Sequence, residues 1–169
     1  MLTEVLSPIN NHVARFIAIL SLYSYEMQDR KNIKQISLIT KKAYLEKDFF
    51  ALGINTADLS KIEFHQPDEQ LLEQLIDLSE TKREEIDNLI RANLIAKYNL
   101  DRLDRVIKSI LRLAALELLY CGHIPAKIII DEYVSLTKTF YDNSEAGFVN
   151  KVIDVLASQT RNLETEKDI

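Results

Sequence analysis

Tryptophan is absent from this sequence, cysteine occurs once, and glycine and proline occur three times each in 169 residues. Each scarcity excludes something. A lone Cys121 can form no internal disulfide and no cysteine-based metal cluster, and it suits a reducing compartment. So few turn residues disfavour an all-β architecture and leave nothing from which to build a Gly-rich phosphate loop or a nucleophile elbow. The apolar run Phe16-Ile17-Ala18-Ile19-Leu20 is too short to span a bilayer, and no small-residue cleavage signature follows it. A cytoplasmic protein with no membrane segment is expected.

A net charge of −5 argues against a strongly basic nucleic-acid clamp, but the charge is unevenly spread. Residues 61–100 carry nine acidic and five basic side chains, and residues 141–169 carry six and three. The first sixty residues and residues 101–140 each come out at +1, so any RNA-facing surface should draw on those two segments. The length predicts one domain with a substantial core.

What is present is helical periodicity. Between Leu103 and Leu118 the apolar residues Leu103, Val106, Ile107, Ile110, Leu111, Ala114 and Leu118 recur at three- and four-residue steps. Leu113, Leu116 and Leu119 form a second stripe, leaving a narrow polar edge of Arg105, Lys108 and Arg112. A helix apolar on most sides is a central one. Cys121-Gly122-His123 then stops it, and Pro125 fits the first turn of a further helix over about 126–141, with Ile129, Tyr133, Leu136 and Phe140 inward. Asp142-Asn143-Ser144 offers an N-cap to a helix with Phe148, Val149, Val152, Ile153 and Leu156 inside.

Upstream, Val13 to about Gln28 predicts a first helix, with Ala14, Ile17, Ala18 and Ser21 on one strip. A second is expected from Ile33 to about Leu52, with Ile36, Ile39, Ala43, Phe50 and Leu52 as core candidates and Gly53 as its stop. Asn55 to Pro67 reads as a loop. A long helical pattern starts at Asp68, and Thr81 with Glu84 and Glu85 suggests a capped restart. After Arg161 the tail 162–169 lacks an apolar face and is expected to be frayed or disordered.

The blocks LDRVIKSILRLAALELL, IPAKIIIDEYVSLTKTF and FVNKVIDVLA, in that order and spacing, resemble the C-terminal half of the NusB transcription-antitermination family. ARFIAILSLYSYE resembles its opening helix, with Arg15, Ala18, Leu22, Tyr23 and Glu26 matching. The resemblance implies an all-α fold of about seven helices over 9–157, in two packed subdomains at about 9–80 and 82–157. It implies an RNA-binding factor that pairs with the ribosomal protein NusE on boxA RNA, within an RNA polymerase antitermination complex, and promotes read-through of rRNA operons. No cofactor, metal or catalytic residue is implied, and the protein is not expected to be an enzyme.

By the same resemblance, the first helix and the segment around Phe140 face RNA. Arg15, Tyr23, Lys138 and Phe140 become candidates, with His12 and Lys151 as neighbours. Aromatic rings beside a few cations are what single-stranded RNA needs. Partly core positions for Tyr23 and Phe140 remain equally open. The chain departs from its family in having Asn10-Asn11-His12-Val13 where arginines are usual, and Ala146-Gly147 where a basic residue is usual. Lys151, in place of a glycine, restores one charge. Fewer phosphate contacts should weaken RNA binding by the chain alone. The expected NusE surface includes the acidic helix from Glu84 and Glu85 through Lys108 and Arg112, since an acidic face suits a basic ribosomal protein.

Two other functions fit the same sequence. One is a helical interaction module with reduced RNA binding. The other is a stand-alone relative of the NusB-like domain of rRNA cytosine methyltransferases, although no methyl-donor domain follows before Ile169. Exposed helix faces could serve a homodimer as well as NusE. The three histidines, at 12, 65 and 123, form no helical pair and no zinc spacing.

Overall fold

The computed structural model describes residues 8–29, 31–48, 51–53 and 64–165. Among these it contains seven α-helices: α1 (Pro8–Met27), α2 (Ile33–Leu45), α3 (Glu69–Thr81), α4 (Arg83–Asn93), α5 (Arg105–Tyr120), α6 (Ala126–Phe140) and α7 (Asn143–Thr165). A single 3₁₀ turn, Leu100–Arg102, lies between α4 and α5. The chain divides into two compact units, residues 1–77 and 78–169, with the division inside α3.

In the first unit α1 packs along α2. Ala14, Ile17, Ala18 and Ser21, the strip expected to face inward, have no exposed surface. Ser21 sits there without penalty because its hydroxyl donates to the Ile17 carbonyl one turn back, at 2.7 Å. Asp68 caps α3, its carboxylate accepting from the Leu71 amide at 2.9 Å, and its own amide donates to the Asn10 carbonyl at the start of α1. Tyr44 stacks on Phe64 at 4.6 Å and meets Phe16 edge-on. Burial raises the Tyr44 hydroxyl above the ordinary tyrosine value.

Several element boundaries differ from expectation. α1 starts at Pro8, five residues before Val13, because proline's missing N–H costs nothing in a first turn. α2 stops at Leu45, well short of Leu52. Glu46 caps it, and Lys47 turns the chain with φ of 56°. A left-handed lysine has none of the glycine signature by which such stops are read. Ile39, expected in the core, is 61% exposed, Leu52 is partly exposed, and Phe50 lies outside the described residues. Most of the expected loop from Asn55 lies outside them too.

Thr81 is the last residue of α3, one place before the N-cap of α4. Lys82 stands at the N-cap of α4 without a side-chain hydrogen bond. Pro125 occupies the N-cap of α6, one place before the first turn. α7 continues through Thr165, four residues into the segment expected to fray.

In the second unit α5 is the central helix, packed by α4, α6 and α7. Ile110, Leu111, Leu113, Ala114 and Ala115 are wholly buried, so both expected stripes face inward. Asp104 caps α5 by accepting from the Val106 amide at 2.9 Å. Ile129, Tyr133 and Leu136 from α6 and Val149, Ile153 and Leu156 from α7 complete the core at zero exposure.

Candidate nucleic-acid interface

α4 ends at Asn93 because Leu94 turns extended, at ψ of 137°, and the chain then folds back through a turn closed by the Tyr98 amide on the Ile95 carbonyl. That turn brings Tyr98 against Phe148 on the second turn of α7, with ring centroids 4.7 Å apart and planes tilted by 50°. A cleft of about 660 Å³ opens beside the pair. Ser144, Phe148, Lys151 and Val155 line it from α7 at steps of four, three and four, a single helical face. Leu94 and Ile95 line the other wall.

The cleft combines three chemistries. Two aromatic rings, both partly buried, supply a stacking surface, and Lys97 already lies 5.6 Å from the Tyr98 ring centre. Exposed Lys151 supplies positive charge at the rim. Asn93, Asn143 and Ser144 supply amide and hydroxyl groups able to meet the polar edge of a base. Ile95 and Val155, 65% and 42% exposed, add apolar rims. The arrangement can hold an unstacked base by its face and edge and a phosphate by its charge.

Of the residues expected to face RNA, only Lys151 lines this cleft. Lys138, exposed, and Phe140, partly buried, lie on the last turn of α6 and are not part of its wall. In the first unit His12 and Tyr23 are partly buried on one face of α1, three turns apart. Arg15 requires correction as a direct phosphate contact. It is 2% exposed, so its guanidinium is not presented to solvent. Tyr98 and Phe148 are not legible as a pair in the sequence. The signal available was two aromatics, one in the α4–α5 connection and one opening α7, but fifty residues separate them and no periodicity links them.

Of the expected NusE-facing residues, Glu84 and Glu85 are exposed on the first turn of α4, where carboxylates also suit the helix dipole. Lys108 is partly buried. Arg112 is the second correction. It is 7% exposed and forms a bidentate pair with Asp87, Nε to Oδ1 at 2.8 Å and Nη2 to Oδ2 at 3.1 Å. It therefore does not belong to a solvated polar edge. Asp87 follows Ile86 within the buried stripe 86, 87, 90 of α4, and an acid inside such a stripe was the legible sign of a buried cation opposite.

Glu85 accepts the Tyr120 hydroxyl at 2.6 Å, and that bond raises the Tyr120 pKa above the ordinary tyrosine value. The hydrogen bond requires the protonated phenol, so it persists as pH rises until the raised value is crossed. Glu85→Gln is expected to bring the Tyr120 titration down toward the ordinary value, followed by NMR of ring-labelled tyrosine. An unchanged titration would mean that Glu85 is not the cause.

Buried Glu117 accepts from the Tyr133 hydroxyl, a side-chain anchor between α5 and α6. Among the described residues no three His, Cys, Asp or Glu side chains are grouped as a metal would require, and no helix is long and apolar enough to cross a membrane.

The fold and cleft together define a two-unit helical binding protein. Comparison with known proteins narrows this class. The NusB family model matches residues 12–158, and the chain belongs to the NusB family. The transcription antitermination protein NusB of Sphingopyxis alaskensis is 31% identical over 148 residues, covering 88% of this chain and 92% of that protein. Among solved structures, T. maritima NusB shares the fold with a TM-score of 0.70 at 23% identity, covering 92% of this chain and 96% of that one. A crystal structure of the antitermination factors NusB and NusE in complex with dsRNA gives a TM-score of 0.69 at 24% identity, with coverage of 90% and 99%.

Proposed function

We propose that this protein is a transcription antitermination factor that binds boxA-type RNA together with the ribosomal protein NusE, in the cytoplasm, and helps RNA polymerase read through rRNA operons. The observation that carries the RNA contact is the Tyr98–Phe148 pair beside Lys151 in an open cleft. Family membership supports the biological setting, and a neighbour in fold has been crystallised with NusE and dsRNA. Lys138 and Phe140 extend the surface along α6, and His12 and Tyr23 offer a second contact from α1. Arg15 is assigned a positioning role, consistent with its burial. The acidic first turn of α4, Glu84 and Glu85, is the surface assigned to NusE, where opposite charge steers association. The mechanism is assembly, with no covalent step.

The burial of Arg15 favours one refinement, that RNA is held weakly by this chain alone and firmly only with NusE. Fluorescence anisotropy of a labelled boxA-type RNA, with and without NusE at two salt concentrations, tests both points. Salt-sensitive binding that tightens with NusE is expected. Losing one stacked base costs about 1–3 kcal/mol, so Phe148→Ala should weaken binding roughly 5- to 150-fold. Lys151→Ala should lower the slope of log K against log salt by about 0.7, one phosphate contact on a single strand. A flat titration in every condition would leave the interaction module without RNA as the function.

A further inference from the structure

The polar wall of the Tyr98–Phe148 cleft narrows what the cleft can hold. Asn93 enters it from the end of α4, Ser144 from the first turn of α7, and Asp154 from further along the same helix. Asn93 is half-buried, and Ser144 and Asp154 are exposed, so all three can meet a ligand.

Each of the three presents an acceptor. The Asn93 side-chain nitrogen donates to the Leu89 carbonyl one turn back, at 2.9 Å. A carbonyl can only accept, which fixes the way the amide is turned: its nitrogen lies against the helix backbone and its oxygen points away from it. The Ser144 hydroxyl donates its one hydrogen to Oε2 of Glu145 at 2.7 Å, and a carboxylate likewise only accepts. Ser144 is left with the lone pairs of its oxygen. Asp154, as a carboxylate, has no hydrogen to give. The remaining polar side chains play other parts. Lys151 is a full positive charge on the same face of α7 and suits a phosphate, while the Asn143 amide and the Tyr98 hydroxyl can act either way.

Stacking on Phe148 or Tyr98 does not tell one base from another, because every base has a π-face. The hydrogen-bonding edge does. Cytosine, adenine and guanine each carry an exocyclic amino group, whereas uracil has a carbonyl oxygen where cytosine has its amine. An amino group meets the Asn93 and Ser144 oxygens as a donor. A uracil oxygen in the same place sets lone pair against lone pair and strips water from both without return.

We infer that the cleft selects an unpaired base bearing an exocyclic amino group over uracil, with Asn93 and Ser144 as the residues that discriminate. The inference rests on the RNA reading of this cleft and adds the kind of base it prefers. Both oxygens are held by bonds within their own helices, Asn93 to Leu89 and Ser144 to Glu145, so the preference is built in before RNA arrives.

NMR titration of the isotope-labelled full chain at low salt, with a hexamer of cytidine and a hexamer of uridine, tests it. The amide signals of Gly147 and Phe148 report binding at the cleft itself. Cytidine is expected to bind about 3- to 10-fold more tightly, the net worth of one hydrogen bond. Ser144→Ala and Asn93→Leu should each shrink that ratio by weakening cytidine while uridine stays nearly unchanged. A purely structural role for either residue would weaken both hexamers alike. Equal affinities, or a preference for uridine, would overturn the inference and leave the RNA reading standing. A cytidine preference untouched by both variants would overturn the assignment to Asn93 and Ser144. Shifts with neither hexamer up to millimolar RNA would overturn the RNA reading of the cleft, and the base preference with it.

Discussion

Replacing Arg112 with alanine is expected to destabilise the second unit by about 3–5 kcal/mol, the cost of stripping one partner from a buried ion pair. Arg112 and Asp87 are 7% and 8% exposed and share two parallel hydrogen bonds. Removing the guanidinium leaves the Asp87 carboxylate facing a cavity without its bidentate partner, and water cannot readily replace five donors in a packed interface between α4 and α5. At a typical urea m-value the unfolding midpoint should fall by roughly 2 M. Replacing both residues, as Arg112→Met with Asp87→Leu, should recover most of the loss, since a buried pair gains little over well-packed apolar groups of similar volume. A double variant no better than Arg112→Ala alone would show that the pair is worth more than its own desolvation. An Arg112→Ala variant as stable as the parent would refute the burial argument outright.

The second large effect is expected at Arg161. From the far end of α7 its guanidinium donates to five backbone carbonyls: Leu118 at 2.8 Å, Cys121 and Ile124 at 3.2 Å, and Glu117 and Gly122 at 3.4 Å. These carbonyls lie at the C-terminus of α5 and in the turn that follows, where the helix dipole is negative and a cation is favourable; those of Glu117 and Cys121 also accept the Cys121 and Ile124 amides. Arg161→Ala removes that cap and strips the guanidinium from five carbonyls around wholly buried Cys121, of which those of Glu117 and Cys121 retain a backbone amide donor. A loss of about 2–4 kcal/mol is expected, from charge-assisted hydrogen bonds worth about 1.5–3 kcal/mol together with the lost packing of the stem. Arg161→Lys should recover less than half, because a single ammonium cannot reach carbonyls spread around a planar fork. Urea unfolding gives the magnitude. Amide exchange at Cys121 and Ile124, and the rate at which a thiol reagent reaches Cys121, should rise in step with it. Full rescue by lysine would mean that charge alone, without fork geometry, does the capping.

These two arginines mark where sequence patterns lose their reach. The stripes of α1, α5 and α6 are legible because helical periodicity is local: Ala14, Ile17 and Ala18, or Ile129, Tyr133 and Leu136, can each be placed inside from their neighbours alone. The end of α2 is not legible, since Lys47 adopts the left-handed conformation that a glycine would have announced. Ile39 shows the same limit in another form. An apolar residue on a helix is expected to be covered, and here most of its surface stays open to solvent.

The candidate sites divide along the same line. Lys151 could be picked from its place in a motif, but the Tyr98 ring that makes its surroundings a cleft comes from a turn fifty residues earlier. Arg15 matches the family's opening helix equally well and proves to be buried. A motif gives a residue type and a position along the chain. It carries no information on whether the side chain meets water.

The sequence by itself therefore determined the helical class, the family and most of the inward faces, because those follow from composition and from spacings of three and four residues. Tertiary structure decided which charges are spent internally, as at Arg112 and Arg161, and which remain on the surface, as at Lys34, Lys41 and Lys151. It also decided which aromatics meet. The physical reason is common to all of these: pairing and burial depend on what lies within a few ångströms, and in this chain those neighbours come from helices 25 to 50 residues away in sequence.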